Sequence, residues 1–415
     1  MLTNRLRVIL ALGTAQTLAW GSTYYLAAIL ARPMARTFDL AEGTVFAAFS
    51  AALLVSAVLG PAAGRRIDLF GGRGVLTASS LVFALGLGLL GASTGALMLL
   101  AGWLVLGVGM AMGLYESAFA ALAAIYGRGA RGAIVGVTLI AGFASTVCWP
   151  ISAFLDAEIG WRATCFFWMG VHLMVCLPLN RFGLPRGGPA PSASPAVATE
   201  SDPASAPAVA PAPAAGAPAD PAPPAPEPLP SHTRMMVLLG IVFSITWFIS
   251  TAMAAHLPRL LQETGVSPAA AIAAAALVGP AQVAGRLLEF GVLQRFHPLL
   301  SARLASVTHP LAALGLLVVG APLAMGFALA HGAGNGILTI AKGTLPLAIF
   351  GPAGYGHRQG VLTVPARFAQ AAAPLIFALL IERVGAAALI VSGALGLVSF
   401  GCLMAIPRAA MRTGG

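Results

Sequence analysis

The hydrophobic runs of this chain are continuous, and nearly all are long enough to cross a bilayer. They fall at residues 8–30, 43–63, 74–92, 96–125, 132–154, 162–180, 234–256, 269–291, 301–319, 322–350, 359–380 and 385–406. A helix needs about 20 apolar residues to traverse the hydrocarbon core. Only helices and closed barrels satisfy every backbone group in lipid. Barrel strands alternate apolar and polar over about 10 residues, and these runs do not. Charged residues make up 9% of the chain, against about 25% in a soluble domain. The sequence therefore predicts an all-α integral membrane protein with twelve transmembrane helices.

The runs come six, then a break, then six. From Pro189 to Pro230 the break is almost entirely Pro, Ala and Ser, with Glu200, Asp202, Asp220 and Glu227 as its acids. Such a composition has nothing to bury and cannot offset the entropy of ordering. The expected organisation is a six-helix half over 1–181, a disordered Pro/Ala-rich linker over 182–232, and a second six-helix half over 233–415.

Loop charges predict the orientation. One set of loops holds Arg5, Arg7, Arg65, Arg66, Arg73, Arg128, Arg131, Arg181, Arg186, Arg234, Arg295, Arg358, Arg408 and Arg412. The opposite set holds only Arg32, Arg36, Arg259 and Arg383. The positive-inside rule puts the richer set, both termini and the linker in the cytoplasm. The formal net charge of +10 sits in these loops. No basic run carries interleaved aromatics, so nucleic acid is not an expected partner. Cys148, Cys165, Cys176 and Cys402 all fall in apolar runs without a CxxC pair, which indicates neither a disulfide framework nor a metal site. His172, His309 and His331 have no metal-ligand spacing.

The halves echo each other. Gly64-Arg65-Arg66-Ile67-Asp68 matches Gly285-Arg286-Leu287-Leu288-Glu289. Pro150 precedes Gly160 much as Pro374 precedes Gly385, and Gly109-x-x-x-Gly113 matches Gly332-x-x-x-Gly336. Their common order suggests parallel repeats, with a substrate site between the halves near the midplane.

Gly64 to Leu76 reads G-R-R-I-D-L-F-G-G-R-G-V-L. It resembles the signature loop G-x-x-x-D-x-x-G-x-R-x-x-L of the major facilitator superfamily, between the second and third spans as in that family. Gly160-Trp161-Arg162 before the sixth span is a second shared feature. The resemblance implies a fold of two pseudo-symmetric six-helix bundles, secondary transport and no enzymatic activity. It also implies a gating loop of Gly64, Asp68, Gly71 and Arg73, in which Asp68 latches a neighbouring helix when the carrier is open outward. Many proton-coupled members have an arginine early in the fourth span; here that region reads Ala101-Gly102-Trp103-Leu104. The eighth span also resembles that of the monocarboxylate porters, where an arginine that binds the carboxylate follows a polar or acidic residue by four positions. Here the pair is Gln282 and Arg286.

A charge at the bilayer centre costs roughly 3 kcal/mol, so embedded charges are functional candidates. With Asp39 as N-cap and Glu42 completing a capping box, Arg65 lies 26 residues along the second span; with Ser267 as cap and Pro268 first, Arg286 lies only 19 along the eighth. Arg286 is therefore expected to line the cavity, partly neutralised by Glu289. Lys342, the only lysine, either joins it near Asn335 or snorkels to the interface. Glu116 pairs with Lys342, carries a proton, or makes a structural hydrogen bond. Arg367 contacts an anion or a helix end. Trp20, Tyr24, Tyr25 and Trp247 shape the site or simply pack.

The expected protein is a secondary transporter of a small organic anion, a carboxylate, with proton coupling through Glu116. Its expected substrate contacts are Arg286, Gln282, Lys342, Arg367, Asn335, Tyr24 and Trp247. It needs no cofactor or metal, and it works as a monomer in the cytoplasmic membrane of a bacterium. The alternative is an exporter of drug-like or cationic compounds built on Glu116 and the aromatics.

Overall fold

The computed structural model describes residues 2–185 and 232–407. The Pro/Ala-rich segment expected as a linker lies almost wholly outside the described residues. The described chain is nearly all helix. Eight stretches are long and apolar enough to cross a membrane. Ala96–Phe182, with 87 residues, is one of them and folds back twice; Tyr355–Met404, with 50, folds back once. Two of these three reversals fall at glycines that the sequence had marked, Gly160 at φ 80° and Gly385 at φ 56°, and the third falls at Gly127, φ 55°, a region that disfavours any side chain.

The first span is split into Leu2–Ser22 and Leu26–Thr37. The second is Glu42–Phe70 and the third Gly72–Gly91. The fourth is split into Ala96–Gly113 and Tyr115–Tyr126. The fifth begins with Arg131–Ala141 and continues in Ala144–Val171, which also carries the start of the sixth beyond Gly160. The seventh is His232–Glu263, and the eighth is Pro268–Ala276 with Val278–Gly291. The ninth to twelfth are Pro298–Val319, Ala324–Phe350, Tyr355–Val384 and Ala388–Met404.

The two expected caps part company. Ser267 accepts a hydrogen bond from the Ala270 amide, with Pro268 next. Asp39 is not a cap: it turns the chain at φ 52°, and the second span starts at Glu42 behind Ala41. The first span runs on to Thr37, so Asp39 falls in the tight turn between helices, where its short polar side chain tolerates the left-handed region. Arg65 is exposed, whereas Arg286 is 6% exposed.

Two faces join the bundles. The second span packs along the eleventh, and the fifth lies against the eighth and tenth. The second–eleventh contact is backbone on backbone. A Cβ on Gly64 would sit 1.9 Å from the Gly356 carbonyl oxygen, and one on Gly360 would sit 2.5 Å from Pro61 Cα. Gly60-x-x-x-Gly64 and Gly356-x-x-x-Gly360 thus face each other, small residues that let two helices close. This contact lies at the end of the bundle that carries the Gly64–Arg73 loop, called the loop end below.

Candidate functional site

Helix breaks bring the embedded charges together. At Leu114 the fourth span opens to φ −87°, ψ −169°. The carbonyls of Gly113 and Ala111 accept hydrogen bonds from Gln16 Nε2 (2.6 Å) and Ser117 Oγ (2.8 Å). Buried irregular backbone is tolerated when protein groups satisfy it in this way. The new helix starts at Tyr115, so Glu116 sits in its first turn, where the helix dipole favours an acid. The break at Thr23–Tyr25 does the same for the first span: the Tyr25 amide reaches back to the Trp20 carbonyl (3.0 Å). That places Trp20, Tyr24 and Tyr25 side by side.

Glu116 meets Arg367 from the opposite bundle at 3.4 Å. Arg367 also donates to Gln370 Oε1 (3.0 Å), and Gln370 Nε2 donates to the Tyr24 hydroxyl (2.7 Å). One chain of contacts therefore links the first, fourth and eleventh spans. The structure pairs Glu116 with Arg367 rather than with Lys342. The Lys342 ammonium instead stands 3.9 Å over the centre of the Trp247 ring, and the Arg367 guanidinium lies 5.1 Å from the same centre. Lys342 is buried and does not snorkel; its partner is an aromatic face, which attracts cations.

Arg286 is the other buried cation. Its Nε and Nη1 have no hydrogen-bond partner, and no carboxylate lies within ion-pair distance of it among the described residues. Glu289 does not neutralise it. That carboxylate turns to Arg131 of the first bundle at 3.0 Å, because Arg131 reaches across to the Leu293 and Phe296 carbonyls beside it. The Arg286 guanidinium lies against the backbone of Gly142, where a Cβ would come within 2.0 Å of Nη1. Gly142 falls at the break in the fifth span. The sequence reading missed it; a glycine inside an apolar run, level with an embedded arginine, was the available signal.

The remaining expected contacts scatter. Gln282 is half-buried, its backbone packed on Gly336. Asn335 turns away, donating to Ser250 (3.0 Å). It lines a separate cavity of about 30 Å³ inside the second bundle, shared with His309 and His331, whose Nδ1 atoms lie 3.1 Å apart. The tenth span is seated closely on the eighth through Gly332 and Gly336. Among the described residues no three His, Cys, Asp or Glu side chains gather as metal ligands.

At the loop end, Asp68 accepts hydrogen bonds from the amides of Gly356 and His357, each 2.8 Å, at the start of the eleventh span. Free amides at a helix N-terminus bind an anion well. Gly71 turns at φ 80°, and a Cβ on Gly72 would strike Ala121. Arg73 is half-buried in that turn. Among the described residues, hydrogen bonds and ion pairs between the bundles lie at the loop end and at the centre. At the far end the ties stay within one bundle: Trp161 to Thr37 and Arg162 to Ser93 in the first, Arg259 to Glu382 in the second.

The sequence matches the Major Facilitator Superfamily over residues 12–330. The chain belongs to the Major Facilitator Superfamily. Its members are transporters, not enzymes. The fold agrees with solved structures of this superfamily at low sequence identity. The human organic anion transporter MFSD10 (TETRAN) is 16% identical with a TM-score of 0.63, covering 96% of this chain and 99% of that one. The proton:xylose symporter XylE, bound to 6-bromo-6-deoxy-D-glucose, is 13% identical with a TM-score of 0.70, covering 98% and 96%. The E. coli fucose:proton symporter FucP is 12% identical with a TM-score of 0.69, covering 96% and 98%. No curated protein matches the sequence. These likenesses establish the twelve-helix, two-bundle fold and leave the substrate to the site.

Proposed function

We propose that this superfamily member is a secondary active transporter of a small organic anion, a carboxylate, which it carries by alternating access. The observation behind this reading is Arg286: buried, charged, and with two unfilled donors on a planar fork. An uncompensated charge in low dielectric is costly. A carboxylate held by that fork supplies the missing partner. Lys342 adds a second cation with no carboxylate of its own among the described residues. Glu116 is the proton-coupling group, since its protonation releases Arg367. Gly64, Asp68, Gly71 and Arg73 form the gate. With the loop end cytoplasmic, as the arginine distribution favours, the structure is closed inward and receives substrate from outside. In this reading the protein is a monomer of the bacterial cytoplasmic membrane, its termini and linker inside.

The competing reading is an exporter of drug-like cations built on Glu116. In its favour, Glu116 is still 18% exposed at its side chain. Against it, that carboxylate is already engaged by Arg367.

The test is thermal stability of the purified full chain against a panel of small carboxylates and lipophilic cations. A ligand at 100 times its Kd that binds only the folded state adds about 2.7 kcal/mol. Stabilisation by carboxylates that disappears in Arg286→Ala supports the anion site. Stabilisation by cations alone removes it.

A further inference from the structure

The charges of the site stand beside an aromatic wall. The Trp20 ring lies 5.2 Å from Tyr24, 6.1 Å from Tyr25 and 4.9 Å from Tyr115, centre to centre. Across the bundle interface it meets Trp247 at 6.4 Å, with the ring planes only 14° apart. These near-parallel indoles come from the first and seventh spans, one from each bundle. Trp247 also carries Lys342 and Arg367 against its ring. Arg286 reaches the same region: its guanidinium lies on Gly142 at the break in the fifth span, and that span packs on the first, where Trp149 meets the Tyr25 ring at 5.7 Å.

The unfilled polar atoms on these residues are all donors. Trp20 Nε1, Arg286 Nε and Nη1, and Arg367 Nε are buried without partners. A ligand that fills them presents acceptors only at that end. The polar groups that would read sugar hydroxyls are committed elsewhere: Glu116 and Gln370 to Arg367, Asn335 to Ser250. A short hydroxylated acid would leave the indole and phenol faces against polar atoms. A planar π system fills them, because aromatic rings gain from offset and edge contacts beyond plain area burial.

We propose that the transported carboxylate is attached to a planar aromatic ring, seated against Trp20, Tyr25, Tyr115 and Trp247 with its carboxylate on Arg286. This rests on the anion reading above and narrows it to aromatic monocarboxylates.

The test compares benzoate with cyclohexanecarboxylate, its saturated counterpart of similar size and charge, by calorimetry on the detergent-purified full chain. Benzoate should bind about tenfold more tightly, the order expected of one or two aromatic contacts. Trp20→Leu and Trp247→Leu should erase that preference, and Trp20→Phe should keep much of it. The comparison on the unsubstituted protein needs no variant, so a folding defect in Trp20→Leu leaves the test intact. Equal or tighter binding of cyclohexanecarboxylate overturns the aromatic assignment and leaves the anion site standing. Failure of every carboxylate to bind overturns both.

Discussion

Glu116 and Arg367 stand 3.4 Å apart, yet they belong to different bundles and are separated by 251 residues of chain. In the alternating access proposed above, a contact of this kind is made in one arrangement of the bundles and broken in the other. It therefore weights the conformational equilibrium as well as the fold.

Removing one member should cost more than removing both. Glu116→Gln leaves Arg367 buried with Gln370 and the Trp247 ring but no carboxylate, and loss of one partner of a buried pair typically costs about 3–5 kcal/mol. The double variant Glu116→Leu, Arg367→Met should be more stable than either single change, as read by thermal unfolding in detergent. Simple additivity of the two singles would show that the pair is not coupled.

Gly142→Ala should separate binding from folding. The new Cβ meets the far end of a flexible side chain, so the guanidinium moves and the helices stay. Carboxylate affinity should fall about tenfold while stability changes by less than about 1 kcal/mol. A variant that binds as tightly as the parent would dissociate Gly142 from the site.

The glycine contact should control closure of the loop end. At Gly64 and Gly360 a side chain meets backbone, which cannot step aside. Gly64→Val should hold that end open, lengthening the distance between spin labels at exposed Arg66 and Arg295. Asp68→Asn keeps the shape but drops the charge held by two amides. It should shift the same distance distribution part-way, by roughly 1–2 kcal/mol of the closed state. An unchanged distribution in Gly64→Val would mean that closure does not pass through this contact.

A pH effect is expected at the ninth span. His297 caps that helix: its Nδ1 accepts the Leu299 amide at 3.2 Å. Partial burial, then Arg131 and Arg303, lower its pKa below the ordinary 6.5. The unfolded chain therefore takes up the proton first as pH falls below about 6.5, and folding stability declines until the folded pKa is passed. Replacement by a non-titrating cap, His297→Asn, should remove this part of the acid sensitivity. Identical stability profiles between pH 7 and 5 would refute the assignment.

Much of the fold was legible in the chain because lipid leaves few options. Twenty apolar residues in a row must become a helix, and Gly160 and Gly385 mark reversals that only glycine enters easily. The signature loop identified the superfamily, and spacing alone singled out Arg286, which the structure buries while Arg65 stays exposed. The facing glycine pairs, Gly60–Gly64 and Gly356–Gly360, were also readable as small-residue motifs, but not as partners across 292 residues between Gly64 and Gly356.

Pairing of the charges was decided by tertiary structure alone. The sequence supplied two embedded acids and three cations without saying which would meet. Glu116 went to Arg367, Glu289 to Arg131 and Lys342 to the face of Trp247. Arg286 was left with unfilled donors. Continuous apolar length determines which segments enter the membrane, because that choice is made residue by residue against lipid. An ion pair depends on distances of a few ångströms between helices far apart in sequence, and those are set only when the bundles pack.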